Sequence, residues 1–339
     1  MNQSNAIRSI KPLGFMWPTT NPFLFCAHHL DDYPVANNEM EPVASLAGRE
    51  LGQDFAEKDG WRMYHGTKVP GFPVHPHRGF ETITVVRNGF VDHSDSHGQA
   101  GRYGMGDVQW MTAGAGLQHC EMFPLLNMDQ RNPTELFQIW LNLPKAKKFA
   151  EPYFKMLWAE DIPLDNITDK NGRKIEINVI AGAIDTIASL AVAPDSWAAD
   201  PVNEVAVWTI KMEADSQWEI PLASEGINRT IYFHVGNTLK INGITVESNM
   251  SIELNAAQKV TITSGNSECK ILLLQGKPIE EPVVQYGPFV MNSQAEIQQA
   301  MSDYRRTEFG GWPWPRRDQV HPRTRGRFAK YRDGSEEIR

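Results

Sequence analysis

Cysteine is scarce in this chain, with only three residues, Cys26, Cys120 and Cys269, among 339. A small and odd number of cysteines does not supply a disulfide framework, so we expect a reducing compartment, the cytoplasm. The sequence also lacks the apolar run of about 18 residues that a membrane-spanning helix needs. The first residues have neither the apolar stretch nor the small-residue cleavage site of a secretion signal.

Basic residues are not in excess, since 33 Lys and Arg stand against 41 Asp and Glu, for a formal net charge of −8. This balance gives no support to direct nucleic-acid binding by bulk electrostatics. The hydrophobic share of 41% and the charged share of 22% are typical of a globular chain. The length allows two domains of ordinary size, each with its own core.

The alternating strand and helix pattern of a parallel α/β fold is missing, and short strand patterns separated by turns dominate. The β-branched residues 82–86 precede Asn88-Gly89, a dipeptide that predicts a hairpin with the strand at residues 90–91. Further strands are predicted at residues 230–235, 239–241, 259–263 and 269–275. This rhythm predicts an all-β fold of barrels or sandwiches.

Residues 144–170 form a polar connection punctuated by prolines, which places the predicted domain boundary near residue 150. We therefore expect an N-terminal metal-binding domain over residues 1–150, a second domain over 151–310 and a basic, irregular tail over 311–339. When the turns of the two halves are overlaid, Ala223, Glu225 and Arg229 fall on the positions of His75, His77 and Glu81. The second domain is therefore predicted to be degenerate, without a metal site.

One helix is predicted near residues 293–306, docked across the two barrels. Ser293 and Glu296 form a capping box at its start. Apolar side chains then recur on one face at Ile297, Ala300, Met301 and Tyr304.

Two patterns with a period of two residues carry the candidate chemistry. On a strand, His75 and His77 share one face, and His119 and Glu121 share a face in the same way. Three imidazoles and one carboxylate between two strands make a four-ligand site that suits iron, copper, manganese, nickel or zinc. Such a set leaves open positions on a six-coordinate ion, where water or a substrate can bind.

The sequence around these residues resembles the pirin family of bicupins. The matching segments are HPHRGFET at 75–82, GDVQWMTAG at 106–114, FQIWLNL at 137–143 and QYGPFVMN at 285–292. The resemblance implies two cupin-type barrels, of double-stranded β-helix or jelly-roll form, with a C-terminal helix. It assigns His75, His77, His119 and Glu121 as the ligands of one divalent metal. Fe(II) is the expected ion, with Cu, Mn, Ni, Co or Zn as alternatives.

Glu81 is the alternative carboxylate ligand, because it has the spacing of the general cupin pattern HxHxxxE. The resemblance to pirins favours Glu121 and leaves Glu81 to orient an imidazole by a hydrogen bond. Cys120 alternates away from the ligand face and is predicted to be a packed apolar residue. Surface positions are predicted for His65, His93 and His97, and a pocket-lining position is considered for His28 and His29.

Two segments depart from the pirin pattern. Residues 26–68 are longer than the family's usual approach to the HPHRG motif, and the tail after Trp312 extends past the usual end. Either segment could cover or flank the metal, so the size of the substrate does not carry over from the family.

The resemblance implies two classes of function. In the first, the protein is a dioxygenase whose metal binds the hydroxyl and carbonyl of a flavonol such as quercetin. Glu121 accepts the hydroxyl proton, and the central ring opens with O₂ and loses carbon monoxide. In the second, the protein is a redox-responsive partner of a transcription regulator or a metabolic enzyme, without turnover. A metal-dependent isomerase on the same scaffold is a third alternative.

Overall fold

In the computed structural model, which describes residues 6–339, short strands account for most of the regular structure. The strands are β1 (Ile7–Pro12), β2 (Phe23–Tyr33), β3 (Gly71–His77), β4 (Phe80–Asn88), β5 (Phe90–Asp95), β6 (Ala100–Gly104), β7 (Val108–Thr112), β8 (Leu117–Met122), β9 (Asn132–Asn142), β10 (Tyr153–Leu157), β11 (Leu164–Thr168), β12 (Lys174–Ala181) and β13 (Ala183–Ile184). They continue as β14 (Ile187–Ala188), β15 (Ala206–Met212), β16 (Gln217–Ile220), β17 (Asn228–Val235), β18 (Thr238–Ile241), β19 (Ile244–Glu247), β20 (Met250–Asn255), β21 (Val260–Ser264), β22 (Cys269–Gly276), β23 (Val284–Tyr286), β24 (Phe289–Met291), β25 (Phe328–Lys330) and β26 (Glu336–Ile338). The helix α1 spans Gln294–Thr307. The all-β prediction is confirmed.

Contacts divide the chain into two compact units. The first unit comprises residues 28–139, 143–159 and 281–339, and the second comprises the residues up to Ala27 together with 140–142 and 160–280. The domain limits predicted at residues 150 and 310 stay predictions.

Two antiparallel sheets form the first unit. One has the strand order β26-β25-β6-β5-β8-β3, and the other has the order β10-β7-β4-β9-β2. Thr84 on β4 and Gln138 on β9 both hydrogen bond to Glu121 on β8, so the two sheets face each other across an interior that contains polar groups. This arrangement brings the candidate ligands to the inside of a barrel.

The second unit has the same construction with an apolar interior. Its sheets have the strand orders β1-β20-β17-β22-β15-β12-β11 and β16-β21-β18-β19. Trp208, Ile231 and Leu273 of the larger sheet form one core with Trp218 and Ile262 of the smaller sheet. Full burial of each such side chain stabilises the fold by about 1.5–3 kcal/mol. The four strands predicted between residues 230 and 275 are all present.

The turn at Asn88-Gly89 does not close the predicted hairpin. β4 pairs with β7 in the five-stranded sheet, whereas β5 pairs with β6 and β8 in the six-stranded sheet. Gly89, at φ 74°, therefore carries the chain from one sheet to the facing one. The dipeptide predicts a tight turn correctly, but the partner of each strand is decided by the barrel as a whole.

Helix α1 confirms the predicted capping box, since Ser293 Oγ accepts the backbone N–H of Glu296 at 3.3 Å. Ile297 and Ala300 are buried against Phe289, Met291 and Phe309 of the first unit. Arg78 of the HPHRG motif links the helix to the loop before β8. It donates to Asp303 Oδ2 on α1 at 2.8 Å and to the carbonyl of Ala115 at 2.7 Å. Among the described residues, no helix is long and apolar enough to cross a membrane.

The tail after residue 310 is more ordered than the sequence predicts. Strand β25 pairs with β6 and β26 pairs with β25, so the tail extends the six-stranded sheet. These two strands have three residues each, which is too short for a periodic pattern to be recognised in the sequence.

Candidate metal centre

Strands β3 and β8 are antiparallel neighbours, and their register places the two histidine patterns side by side. His75 lies directly opposite His119, and His77 lies opposite Leu117. The register shifts between Phe72 and His75, because one extra residue bulges out of β3 there. The bulge sets the pairing in which the His75/His77 and His119/Glu121 patterns both lie on the inner face.

The three histidines form one cluster inside the first unit. One ring nitrogen from each of His75, His77 and His119 lies within 4.8 Å of the others. Their ring centroids are 4.5 to 4.9 Å apart. His119 is completely buried and His77 is 3% exposed. The sequence prediction that these side chains converge is therefore correct, while metal binding itself stays a prediction.

Hydrogen bonds fix which nitrogen of His75 can bind a metal. His75 Nδ1 lies 2.9 Å from the carbonyl oxygen of Pro73, which can only accept, so Nδ1 carries the proton and Nε2 has the lone pair. The Nε2 atom of His119 is buried and has no hydrogen-bond partner among residues 6–339. A buried lone pair without a donor is costly, and a metal ion would satisfy it.

Burial keeps these imidazoles neutral at pH 7. Desolvation lowers the pKa of His75 to about 4, although the Pro73 carbonyl raises it in part. Desolvation also lowers the pKa of His77 and His119 well below the usual value, and the neighbouring histidines add to this. Neutral imidazole is the form that coordinates a metal, so the donor set fits a divalent ion.

Glu121 is the carboxylate that joins this cluster. Its Oε2 lies 3.7 Å from His119 Nε2 and accepts a hydrogen bond from Gln138 Nε2 at 2.8 Å. Its Oε1 lies 3.1 Å from the hydroxyl of Thr84 and 3.5 Å from that of Tyr103. Burial raises the pKa of Glu121, and the donors around it counteract this in part. These contacts orient the carboxylate toward the histidines.

Glu81 lies elsewhere. It is fully buried on β4 and accepts a hydrogen bond from the hydroxyl of Thr112 at 2.6 Å. Residues 81 and 84 are three apart on a regularly paired stretch of β4, so their side chains leave opposite faces of the strand. Since Thr84 points to Glu121, Glu81 points away from it, which favours Glu121 over Glu81 as the carboxylate ligand.

The prediction that His93 is a surface residue is wrong. His93 is completely buried, with its ring stacked on Phe154 at 5.1 Å. Its Nδ1 lies 3.4 Å from Nδ1 of His119, and its Nε2 lies 3.3 Å from Oδ2 of Asp95. The carboxylate only accepts, so His93 Nε2 carries a proton. In the neutral form of His93, Nδ1 then accepts from His119 Nδ1, which leaves the lone pair of His119 on Nε2.

Asp95 is itself held in place by donors. Its Oδ1 accepts the backbone N–H groups of His97 and Gln99, and its Oδ2 accepts from Gln99 Nε2 at 3.0 Å. His93 and Asp95 share a face of β5, opposite Glu121 and His119 on β8. The His93-Ser94-Asp95 stretch has the same period of two as the ligand patterns, which is the signal that could have identified it.

His65 is exposed, as predicted, and His97 is half-buried.

Both segments that depart from the pirin pattern lie against the ligand strands. Tyr64, from the long approach segment, stacks on Phe72 at 5.3 Å, and Phe72 in turn lies 6.3 Å from the His75 ring. His29 also packs edge-on against Phe72, whereas a pocket-lining position for His28 and His29 stays a prediction.

The tail covers the outer face of the same strands. The carbonyl of Arg317 accepts the backbone N–H of Val74 at 2.9 Å, and Trp314 Nε1 donates to the carbonyl of Asp95 at 2.8 Å. Trp312 packs in a cluster with the fully buried Cys120, which confirms the packed position predicted for that cysteine. The tail therefore packs against the ligand strands on the face opposite the histidines.

Comparisons with known proteins agree with this architecture. A family model described as Pirin matches residues 18–141, and one described as Pirin C-terminal cupin domain matches residues 207–310. Pirin-1 of Arabidopsis thaliana is 35% identical over 242 residues, covering 71% of this chain and 78% of that protein. A pirin-like protein of Solanum lycopersicum is 34% identical over 277 residues, covering 80% and 89%.

Among solved structures, the crystal structure of quercetin 2,3-dioxygenase from Acinetobacter baumannii superposes with a TM-score of 0.70 at 25% identity. The alignment covers 91% of this chain and 99% of that chain. This likeness confirms the predicted fold of two cupin barrels.

Proposed function

Because this chain belongs to the pirin family, we propose that it is a metal-dependent dioxygenase that opens the central ring of a flavonol such as quercetin with O₂. The observation that carries this proposal is the cluster of three neutral imidazoles, half-buried at His75 and buried at His77 and His119, with Glu121 beside them. A structure named as a quercetin 2,3-dioxygenase covers nearly the whole chain, which supports the choice of reaction.

The proposed metal ligands are His75, His77, His119 and Glu121. Three nitrogen donors and one oxygen donor suit Fe(II), which is the expected ion, and also suit Cu, Mn, Ni, Co or Zn. When bound, the ion supplies Lewis acidity toward a chelating hydroxyl and carbonyl and mediates the reaction with O₂. Four protein ligands leave positions open on a six-coordinate ion, where a substrate can bind. A structural metal site has no need of such open positions.

In this proposal Glu121 has a second task, which is to accept the proton of the flavonol hydroxyl. Gln138 and Thr84 hold its carboxylate in one orientation, so little reorganisation is needed when a proton is transferred. The barrel interior around it excludes bulk water, because Tyr103 and Gln109 are completely buried. Loss of the proton makes the flavonol ring richer in electrons and more reactive toward O₂.

The experiment that tests this proposal measures oxygen uptake and carbon monoxide release by the metal-loaded protein with quercetin. We expect uptake of one O₂ for each quercetin consumed, and loss of this uptake after the metal has been removed by a chelator. Each metal named above is tested in turn. Protein that is loaded with metal and binds quercetin, yet consumes no oxygen and releases no carbon monoxide, would contradict the enzyme and favour the regulatory alternative.

The hydrogen bonds of His93 lead to a prediction for metal affinity. His93→Phe keeps an aromatic ring against Phe154 but removes the acceptor for His119 Nδ1–H, so His119 can turn or adopt the other tautomer. We expect metal affinity about 10- to 100-fold weaker, the usual scale for a group that orients a ligand. The affinity is measured by competition with a chelator, and the visible spectrum of Co(II)-loaded protein reports the change in geometry.

His97→Phe is the matched control for this prediction, because His97 lies in the turn that follows β5 and donates to Asp95 through its backbone N–H. It should leave both affinity and spectrum unchanged. His93→Gln, whose amide oxygen can replace Nδ1 as an acceptor, should recover part of the loss. Equal affinities in wild type and His93→Phe would show that His93 does not position the ligand.

A further inference from the structure

A cavity lies within the second unit. Its volume is about 460 Å³, which is within the range of small-molecule sites. One wall is the sheet row formed by Ala206, Gln275 and Arg229, which are register partners on β15, β22 and β17. The opposite wall comes from the connection that contains residues 188–201. Ala206 also belongs to the core cluster, so this row lines the inside of the barrel.

Arg229 is the unusual residue of this cavity. Its side chain is only 1% exposed, and its Nε donates to Gln275 Oε1 at 2.7 Å while its Nη2 donates to the carbonyl of Pro221 at 2.8 Å. Its Nη1 is buried and has no hydrogen-bond partner among residues 6–339. Burial of an ion without a counter-ion is costly, so an acceptor that reaches Arg229 from the cavity would stabilise this guanidinium.

The carboxylate groups near the cavity are already engaged. Both oxygens of Glu204 accept the backbone N–H of Ser224, at 3.1 and 3.3 Å, and Asp200 accepts that of Val202. Desolvation accordingly lowers the pKa of Arg229 to about 10, and the charge of Glu204 offsets this only in part. These carboxylates also line the cavity, and their charge disfavours a ligand with several negative charges.

The rest of the lining is apolar. Leu190, Val192, Trp208 and Leu222 surround the space beside Arg229. A ligand that fits this surface has one negative group for the guanidinium and a hydrocarbon or aromatic body for the apolar wall. We propose that the second barrel binds a small monocarboxylate with an apolar body, with its carboxylate on Arg229. This inference is independent of the proposed dioxygenase activity.

The test uses the full-length, metal-loaded protein and benzoate as the probe, with binding measured by calorimetry. Benzamide has the same shape without the charge, so we expect it to bind about 10-fold more weakly than benzoate. Arg229→Met should remove the preference for benzoate. Since Arg229 is buried and makes two hydrogen bonds, this variant alone could fail to fold.

Leu222 gives a second test that does not affect the core, because it is 57% exposed at the edge of the cavity. Leu222→Glu should weaken benzoate binding about five-fold and Leu222→Lys should strengthen it, as expected for one added charge near a carboxylate. Ile244→Glu and Ile244→Lys, at an exposed position outside the cavity lining, are the matched controls and should bind as wild type does.

The Leu222 pair also shows which site the benzoate occupies, because a carboxylate can bind to a metal in the first unit as well. Benzoate affinity that is the same in both Leu222 variants would overturn the proposal, and so would equal binding of benzoate and benzamide. Failure of the dioxygenase assay would leave these results unaffected.

Discussion

The His119→Ala variant is expected to lose bound metal, with the dissociation constant for a divalent ion rising by at least about 100-fold, which is the upper end of what loss of an orienting group costs. His119 contacts both other histidines, with its ring 4.5 Å from that of His75 and 4.9 Å from that of His77. Its Nε2 is buried and has no hydrogen-bond partner within residues 6–339, so the substitution removes a metal-binding nitrogen that makes no other hydrogen bond in this part of the chain.

Metal content after dialysis, together with competition against a chelator, measures this loss. His65→Ala is the control, because His65 is exposed and makes its side-chain hydrogen bond to the carbonyl of Gly52. A bound metal also stabilises the folded state, by about 2.7 kcal/mol at a metal concentration 100-fold above its dissociation constant. The metal-dependent rise in Tm should therefore disappear in His119→Ala and persist in His65→Ala. Full metal occupancy in His119→Ala would refute the ligand assignment.

The ligand strands could be predicted because both patterns have the period of a strand. Side chains alternate along a strand, so His75 and His77 point to one face, and His119 and Glu121 do the same on their own strand. This inference needs no information about the rest of the chain. No local sequence pattern predicts which residues of the two strands lie opposite each other. The bulge between Phe72 and His75 sets that register, and it follows from how the whole sheet closes.

The position of His93 could not be predicted from composition alone. The residues around it are polar and include glycine, which is typical of a surface turn. Strand β5 nevertheless lies between β6 and β8, and its residues 91–95 are all buried. The tail causes part of this burial, since His321 Nε2 donates to the carbonyl of His93 at 2.9 Å. A contact between residues more than two hundred positions apart in the sequence cannot be predicted from a local pattern.

The two barrels share a construction and differ in what fills them. In the first unit, polar groups such as Thr84, Gln138 and Glu121 meet between the sheets, and they are satisfied by one another. In the second unit, the equivalent space between the sheets contains Trp208, Trp218 and Ile231. Buried polar groups are costly unless each has a partner, so an apolar filling stabilises the interior of the second unit without such partners. The lack of a metal site in the second domain stays a prediction.

The largest effect on turnover is expected for Glu121→Gln. This change keeps the size of the side chain but removes a charged ligand and the proposed proton acceptor together. We expect metal affinity at least about 10-fold weaker, and oxygen uptake with quercetin about 100-fold slower at saturating metal, the lower end of the range for a general base. Measuring uptake at saturating metal separates the loss of the base from the loss of the ion.

Glu81→Gln is the matched comparison, since it makes the same substitution at the other candidate carboxylate. Glu81 contacts Thr112 and leaves β4 on the face away from Thr84 and Glu121, so its effect on affinity or rate should stay at or below about 10-fold. Flavonol binding by both variants is measured separately, by fluorescence quenching in the absence of oxygen. Equal metal loss in the two variants would transfer the ligand role to the general cupin arrangement and away from Glu121. If uptake by Glu121→Gln at saturating metal remained at the wild-type rate, the carboxylate would not be the proton acceptor, and the hydroxyl proton would have to leave by way of another group.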